Sequence, residues 1–273
     1  MRAWHPFDSS RTRVCPAFEV IEKNPTPFFE LFCEHFNLKI DPTELIIEEI
    51  RFADGISRKE KPLNPNPEYL KWMINHPDET LIERKLSNKS KLSKTDRKRF
   101  GLLRGACVQE AVDGIESAAK KGAFGRDWYV LEGATKPDVY IKTNKFYLIV
   151  EGKRTEAGPE VGTLWNGHRH QMVRHLEDLY FHCLKEKQTL PAYGIFIVRK
   201  KDEEKFDLYK AKLPWVESLP HMEDVSQIQS LYLGCLTWGE IFLKYRGEIT
   251  YVERIEEDGS CIPYEPDQYD IDD

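Results

Sequence analysis

The chain has 273 residues, 40% hydrophobic and 32% charged, which suits one large soluble domain or a domain with a smaller attachment. No apolar run reaches the ~18 residues of a bilayer span, and Met1-Arg2-Ala3-Trp4-His5-Pro6 lacks the apolar stretch of a secretory leader, so membrane and secreted classes are disfavoured. The net charge of −6 hides a segregation: Glu253 to Asp273 holds nine carboxylates and one Arg, whereas Arg84 to Arg104 holds nine Lys or Arg and one Asp. Such a basic block can neutralise phosphates and release their counterions, although solvated charge runs are commoner.

The six cysteines, at 15, 33, 107, 183, 235 and 261, include no Cys-x-x-Cys pair. That spacing disfavours a zinc ribbon or an iron–sulfur cluster and fits small buried thiols in a reducing compartment. The expected setting is the cytoplasm, with no signal that separates it from the nucleus.

In chain order, residues 1–83 read as a region of mixed, mostly helical structure. Thr26-Pro27 opens a helix to about Asn37, with Phe28, Phe29, Leu31, Phe32 and Phe36 on its apolar side. Asp41-Pro42-Thr43-Glu44 reads as a helix start, while Leu45–Phe52 fits a helix or a strand by period. Pro62, Pro65 and Pro67 mark a loop. Residues 84–250 form the expected main domain. It opens with one long helix over about Lys94–Lys121, with Phe100, Leu103, Cys107, Val108, Ala111, Ile115 and Ala118 on one face. Strand signals follow at Trp128–Leu131, Asp138–Lys142 and Phe146–Val150, the last two joined by a tight turn at Thr143-Asn144. A helix over about Gly167–Lys187 buries Met172, Val173, Leu176, Leu179, Tyr180, Cys183 and Leu184. Strands at Tyr193–Val198 and Leu231–Leu236 come next, and Thr237-x-x-Glu240 caps a last helix. Residues 251–273 read as a disordered acidic tail. The pattern predicts an α/β domain with a mixed central sheet flanked by helices.

The chemistry-bearing residues cluster around the central hairpin. Glu-x-Lys occurs three times, but only Glu151-Gly152-Lys153 ends an apolar strand. Residues i and i+2 of a strand project to the same face, so Glu151 and Lys153 point together, and an antiparallel hairpin brings Asp138 near the level of Glu151. Two carboxylates with a backbone carbonyl offer hard oxygen ligands for Mg²⁺, and a nearby lysine can orient or deprotonate a water. A structural Glu–Lys pair with Asp138 capping a turn is the alternative reading of the same residues. His168, His175 and His182 recur at seven-residue spacing, ~10 Å apart along a helix, too far for one zinc ion.

These residues resemble the PD-(D/E)XK nuclease superfamily over roughly residues 94–200. The resemblance implies a restriction-endonuclease-like αβββαβ core and a metal-dependent nuclease hydrolysing phosphodiester bonds in DNA, by an endonucleolytic route. Asp138, Glu151 and the Gly152 carbonyl would hold Mg²⁺, with Mn²⁺ as the similar substitute, and Lys153 would handle the attacking water. An acidic residue on the preceding helix would add to the metal site, and Glu110 is that residue here. Gln171-x-x-x-His175 is similar to a Gln-x-x-x-Tyr element of some branches, with the Tyr replaced. Gln171 would assist catalysis, and Lys98, Arg99, Arg104, Arg154, Arg169 and Arg174 would contact the nucleic-acid backbone. DNA is the expected partner, though nothing in the sequence separates DNA from RNA, and a homodimer is compatible with it. The competing expectation is a catalytically inactive protein of the same fold that binds nucleic acid or acts as a scaffold.

Overall fold

The computed structural model describes residues 9–52, 60–80, 93–102, 104–125, 127–154, 162–163, 165–185, 190–246, 248–255 and 261–263. Its centre is a five-stranded sheet in the order β1-β2-β3-β4-β5. Strands β1 (Ile47–Phe52), β2 (Val139–Thr143) and β3 (Tyr147–Gly152) form an antiparallel meander. Strands β4 (Ala192–Val198) and β5 (Tyr232–Thr237) add to it in parallel, so the sheet is mixed and open.

Helices cover both faces, and the strand period decides what meets them. Leu148 and Val150 of β3 join Val139, Ile141, Ile195, Ile197 and Leu236 against α1 (Cys15–Lys23), α2 (Thr26–His35) and α10 (Trp238–Lys244). Phe18, Phe28, Phe29 and Phe32 fill that layer. Each fully buried Phe contributes roughly 1.5–3 kcal/mol relative to exposure. The alternate positions Tyr147 and Ile149 face α6 (Gln171–Lys185) through Leu179 and Cys183. On the same face Phe196 and Val198 meet Met172, Val173 and Leu176 of α6, together with residues of α7 (Glu203–Phe206), α8 (Leu213–Ser218) and α9 (Ser226–Gln229). The remaining helices, α3 (Pro67–Asn75), α4 (Lys94–Leu102) and α5 (Val108–Lys121), gather around a second cluster containing Tyr69, Leu102, Ile115, Leu131 and Trp165.

Several expectations hold at residue level. The mixed sheet flanked by helices is present, and so is the Thr237–Glu240 capping box. Leu45–Phe52 resolves to a strand, whose side chains include buried Phe52. Asp41 caps only a single 3₁₀ turn, Pro42–Glu44. Among the described residues, no helix is long and apolar enough to cross a membrane.

Other expectations are corrected. The long helix breaks into α4 and α5, because Gly105 and Cys107 take left-handed backbone angles between them. Gly adopts that conformation freely and Cys rarely does, so the bend rests on the pair. Trp128–Leu131 is a turn segment rather than a strand. Its Val130 and Leu131 are buried against α3 and α5, and the meander's outer strand comes from β1 instead. A boundary at residue 83 therefore does not separate distinct cores: α1, α2 and β1 share one hydrophobic cluster with β3 and β4. The acidic tail begins with an ordered hairpin, β6 (Val252–Ile255) paired with β7 (Cys261–Pro263), and residues 256–260 and 264–273 lie outside the described set. Leu184, expected inside, is 56% exposed. Cys33 and Cys183 are buried, as expected of small apolar thiols, whereas Cys107 is exposed and Cys15 and Cys235 are half-buried.

Candidate active site

The β2–β3 register builds the site. Val139 pairs with Val150, Tyr140 with Ile149 and Ile141 with Leu148. One more step along that register sets Asp138 opposite Glu151, and a second sets Pro137 opposite Gly152. Strand β3 gives the N–H groups of Tyr147 and Lys153 to Pro191 and Ile197 on the β4 side, so by alternation Gly152 turns its peptide groups toward β2. There it faces Pro137, which has no N–H to donate. The Gly152 N–H instead donates to Asp138 Oδ2 at 2.9 Å. The Gly152 carbonyl is left without its ladder donor, beside two carboxylates.

Glycine between Glu151 and Lys153 has a packing reason. A Cβ on Gly152 would lie 2.4 Å from Val14 Cγ2 and 2.9 Å from Trp238 Cζ2. Trp238 Nε1 also donates to the Lys153 carbonyl at 2.8 Å, which pins the strand end.

Helix α6 meets the strand in matched steps. Lys153 Nζ donates to Gln171 Oε1 at 2.8 Å, and His175 Nε2 lies 2.8 Å from Glu151 Oε1. Two strand residues span ~6.6 Å and four helical residues ~6 Å, so i, i+2 on β3 aligns with i, i+4 on α6. Lys153 Nζ is also 3.6 Å from Glu151 Oε2. The backbone N–H of Asp138 donates to Glu151 Oε1 at 3.2 Å, and Ser10 Oγ donates to Asp138 Oδ1 at 2.9 Å. Thr135 Oγ1 lies 2.5 Å from His175 Nδ1.

The two carboxylates are driven apart in acidity. Burial and the neighbouring Glu151 charge push Asp138 well above the usual carboxylate range, against the pull of Lys153, Gly152 N–H and Ser10. Burial acts in the same sense on Glu151, but His175 and Lys153 outweigh it and hold that carboxyl below its ordinary value. One acid that resists ionisation beside an ionised one is the expected result of two like charges sharing a site.

Among the described residues, no group of three or more His, Cys, Asp or Glu side chains is disposed to hold a metal. The donor set that bears on a cation is smaller and mixed: Asp138, Glu151 and the Gly152 carbonyl. It fits a hard divalent ion in kind, since all three donors are oxygens and a cation would relieve the repulsion that raises Asp138.

Asp138, Glu151, Gly152, Lys153 and Gln171 thus come together. Other expected members do not. Glu110 is an exposed residue of α5 whose carboxylate pairs with Lys98 at 2.9 Å. The helix that precedes the meander is α2, not α4–α5, so the wheel position of Glu110 bore on a different core. Arg169 is completely buried, bonded to Glu132, Glu177 and the Ser218 carbonyl and stacked on Tyr69 at 3.8 Å. Arg154 is buried as well. Arg174 is spent on Glu132 and the Gly133 carbonyl. Arg99 serves Asp96 and the Trp128 carbonyl, and Arg104 lies over Phe100. Lys98 lies over Trp128.

Ser10, Thr135, His175 and Trp238 are site neighbours that sequence reading did not assign. Ser10 and Trp238 arrive from the two ends of the chain, and no local pattern announces them. His175 carried a signal, its four-residue offset from Gln171, which matches the Glu151–Lys153 step. Comparison with protein-family models, curated proteins and solved structures finds no match for this chain.

Proposed function

We propose that the protein is a metal-dependent nuclease that hydrolyses phosphodiester bonds in DNA, with Asp138, Glu151 and Lys153 as its working residues. The observation that carries this reading is the juxtaposition of the three at one strand end, with Gln171 bonded to the lysine. The mixed sheet, its antiparallel meander and its parallel fourth strand after a helix are compatible with a restriction-endonuclease-like core, in which β1 takes the place expected of Trp128–Leu131.

Asp138, Glu151 and the Gly152 carbonyl would hold Mg²⁺ or Mn²⁺. Such an ion, when bound, stabilises charge on a phosphate and acidifies a water. The chain's own residues do the rest. Gln171 fixes Lys153 Nζ by accepting a hydrogen bond from it, which leaves the amine aimed across Glu151. From there Lys153 orients the attacking water or exchanges a proton with it at Nζ. His175, backed by Thr135, keeps the Glu151 carboxylate ionised and in one rotamer. Val14 and Trp238 hold the Gly152 backbone in place.

One observation favours the second reading, an inactive nucleic-acid-binding or scaffold protein: Ser10, Gly152 N–H and His175 already occupy carboxylate oxygens. Plasmid cleavage separates the two. The expected result is nicking with Mg²⁺ or Mn²⁺ that is lost in Asp138→Asn and Lys153→Met. Folded protein that leaves DNA intact with either ion, or cleavage that survives both substitutions, overturns the nuclease reading.

A further inference from the structure

Helix α4 carries a basic face that the catalytic reading does not use. Lys94, Arg97 and Lys98 stand three and four residues apart and share one side of the helix. With Gly101 and Cys107 they line an open cleft of about 500 Å³. Gly101, at the next turn of the same face, removes side-chain bulk from its wall. Cys107, held with a positive φ of 62°, closes the far end.

The cations of this segment divide into two kinds. Arg99 is spent on the fold by Asp96, the Trp128 carbonyl and the Trp165 ring, whereas exposed Arg104 makes only a ring contact, with Phe100. Lys94 and Arg97 are exposed, and among the described residues their side chains have no hydrogen-bond or ion-pair partner. Lys98 stands between, paired with exposed Glu110 and lying 4.8 Å from the Trp128 ring centroid. The one acid on the helix, Asp96, is buried and turned to Ser93 and Arg99. Two unspent cations and a third held by a solvent-exposed, weak pair therefore face an open cleft with no carboxylate among its described lining residues.

We infer that this face of α4 grips the phosphodiester backbone of a nucleic-acid strand through Lys94, Arg97 and Lys98. The surface itself follows from the geometry, and the class of partner rests on the nuclease reading. The helix also has a mechanical link to the candidate site: Arg99 lies 5.4 Å from the Trp165 ring centroid, and Trp165 belongs to the segment that delivers Gln171. A strand held on α4 is thereby referenced to the element that positions Lys153.

The test is binding of fluorescein-labelled DNA and RNA oligonucleotides to the full chain in EDTA, followed by anisotropy over a range of salt. The Lys94→Ala/Arg97→Ala pair is compared with a control of equal charge, Lys23→Ala/Lys244→Ala, with circular dichroism as a check on folding. Surface substitutions of this kind leave the fold intact. Each lost phosphate contact is expected to weaken binding about five- to tenfold at ~0.1 M salt and to flatten the salt slope by ~0.7–0.9. The control pair should bind like the parent. Binding within twofold of the parent for Lys94→Ala/Arg97→Ala, or equal competition by poly-glutamate, overturns the inference. The DNA and RNA arms show which backbone is preferred. If the substitutions weaken binding but no cleavage is found, the surface stands and the nuclease reading falls. If cleavage is found and binding ignores the substitutions, the reverse holds.

Discussion

Helix α6 takes part in two buried ionic clusters. In one, Gln171 and His175 meet Lys153 and Glu151, with Asp138 opposite. In the other, Glu177 and Asp178 meet Arg169, Arg174, His221, Glu132 and Asn66. The second is built around a guanidinium whose three nitrogens are all engaged: Nε and Nη2 with Glu132, Nη2 also with Glu177, and Nη1 with the Ser218 carbonyl. Its members are 0–1% exposed at Arg169, Glu132 and Glu177. Burial opposes the charge on Glu177, yet Arg169 and His221 hold its carboxyl well below the ordinary value. The first cluster has a compact ammonium between a carboxylate and a neutral amide, and a partly exposed Asp138 at its mouth. A planar fork that consumes its neighbours suits a scaffold, and a point charge with rotatable donors at a strand end suits chemistry. Buried arginine near a candidate site is thus not evidence of phosphate contact.

Breaking the scaffold cluster should have the largest effect. Arg169→Met removes the buried guanidinium that Glu132 and Glu177 share, and urea denaturation should register a loss of ~3–5 kcal/mol. A loss below ~1 kcal/mol would mean that the cluster reorganises and that the comparison fails. Lys153→Met inverts the pattern. Cleavage should fall by ~10²–10⁴, the range for a group that handles a proton in the transition state, with a smaller change in urea midpoint than Arg169→Met. If instead the midpoint drops as far and cleavage is unaffected, both clusters are structural.

Gly152→Ala should cost ~1–3 kcal/mol, because its Cβ would press on stiff Val14 and on the Trp238 ring. A variant as stable as the parent would show that α1 and α10 can retreat from the strand end. Smaller still is a pH effect. Asp138 and Asp178 have carboxyls raised by burial and neighbouring acids, so the folded chain keeps their protons where the unfolded chain has lost them. Their stabilising contribution is fully present below the ordinary aspartate value near ~3.9 and declines as pH climbs through the raised folded values. Asp138→Asn and Asp178→Asn should each flatten that decline when melting temperature is followed from acid to neutral pH in EDTA. An unchanged profile would show that neither acid is strained. The smallest effect belongs to Glu110→Ala: its exposed pair with Lys98 contributes under ~0.5 kcal/mol, and cleavage should be unaffected. A drop in cleavage would restore Glu110 to the site.

The legible portion of this molecule is the portion written in short range. Alternation along β3, the turn after Thr143 and the Thr237–Glu240 cap each follow from neighbours in sequence, and they place Asp138, Glu151 and Lys153 together. Where period was ambiguous or the chain had to choose between burial and pairing, local pattern failed. Trp128–Leu131 has strand composition yet is satisfied by packing on α3 and α5, so the sheet takes β1 from about eighty residues upstream. Arg154, Arg169 and Arg174 read as surface cations because an arginine's partners lie far away in sequence: Arg169 meets Glu132 at a separation of 37 and Ser218 at 49.

By itself, the sequence determined the strand-end trio, because side-chain direction on a strand is a matter of parity and a hairpin's register is set by its turn. Only the tertiary structure decided what surrounds that trio. Ser10 reaches Asp138 across 128 residues, Trp238 reaches Lys153 across 85, and His175 turns inward from an expected ridge to meet Glu151. Those contacts arise when helices from both ends of the chain, together with α6, close over the end of the central strand β3. Packing of distant apolar faces drives that closure, and no local pattern records it.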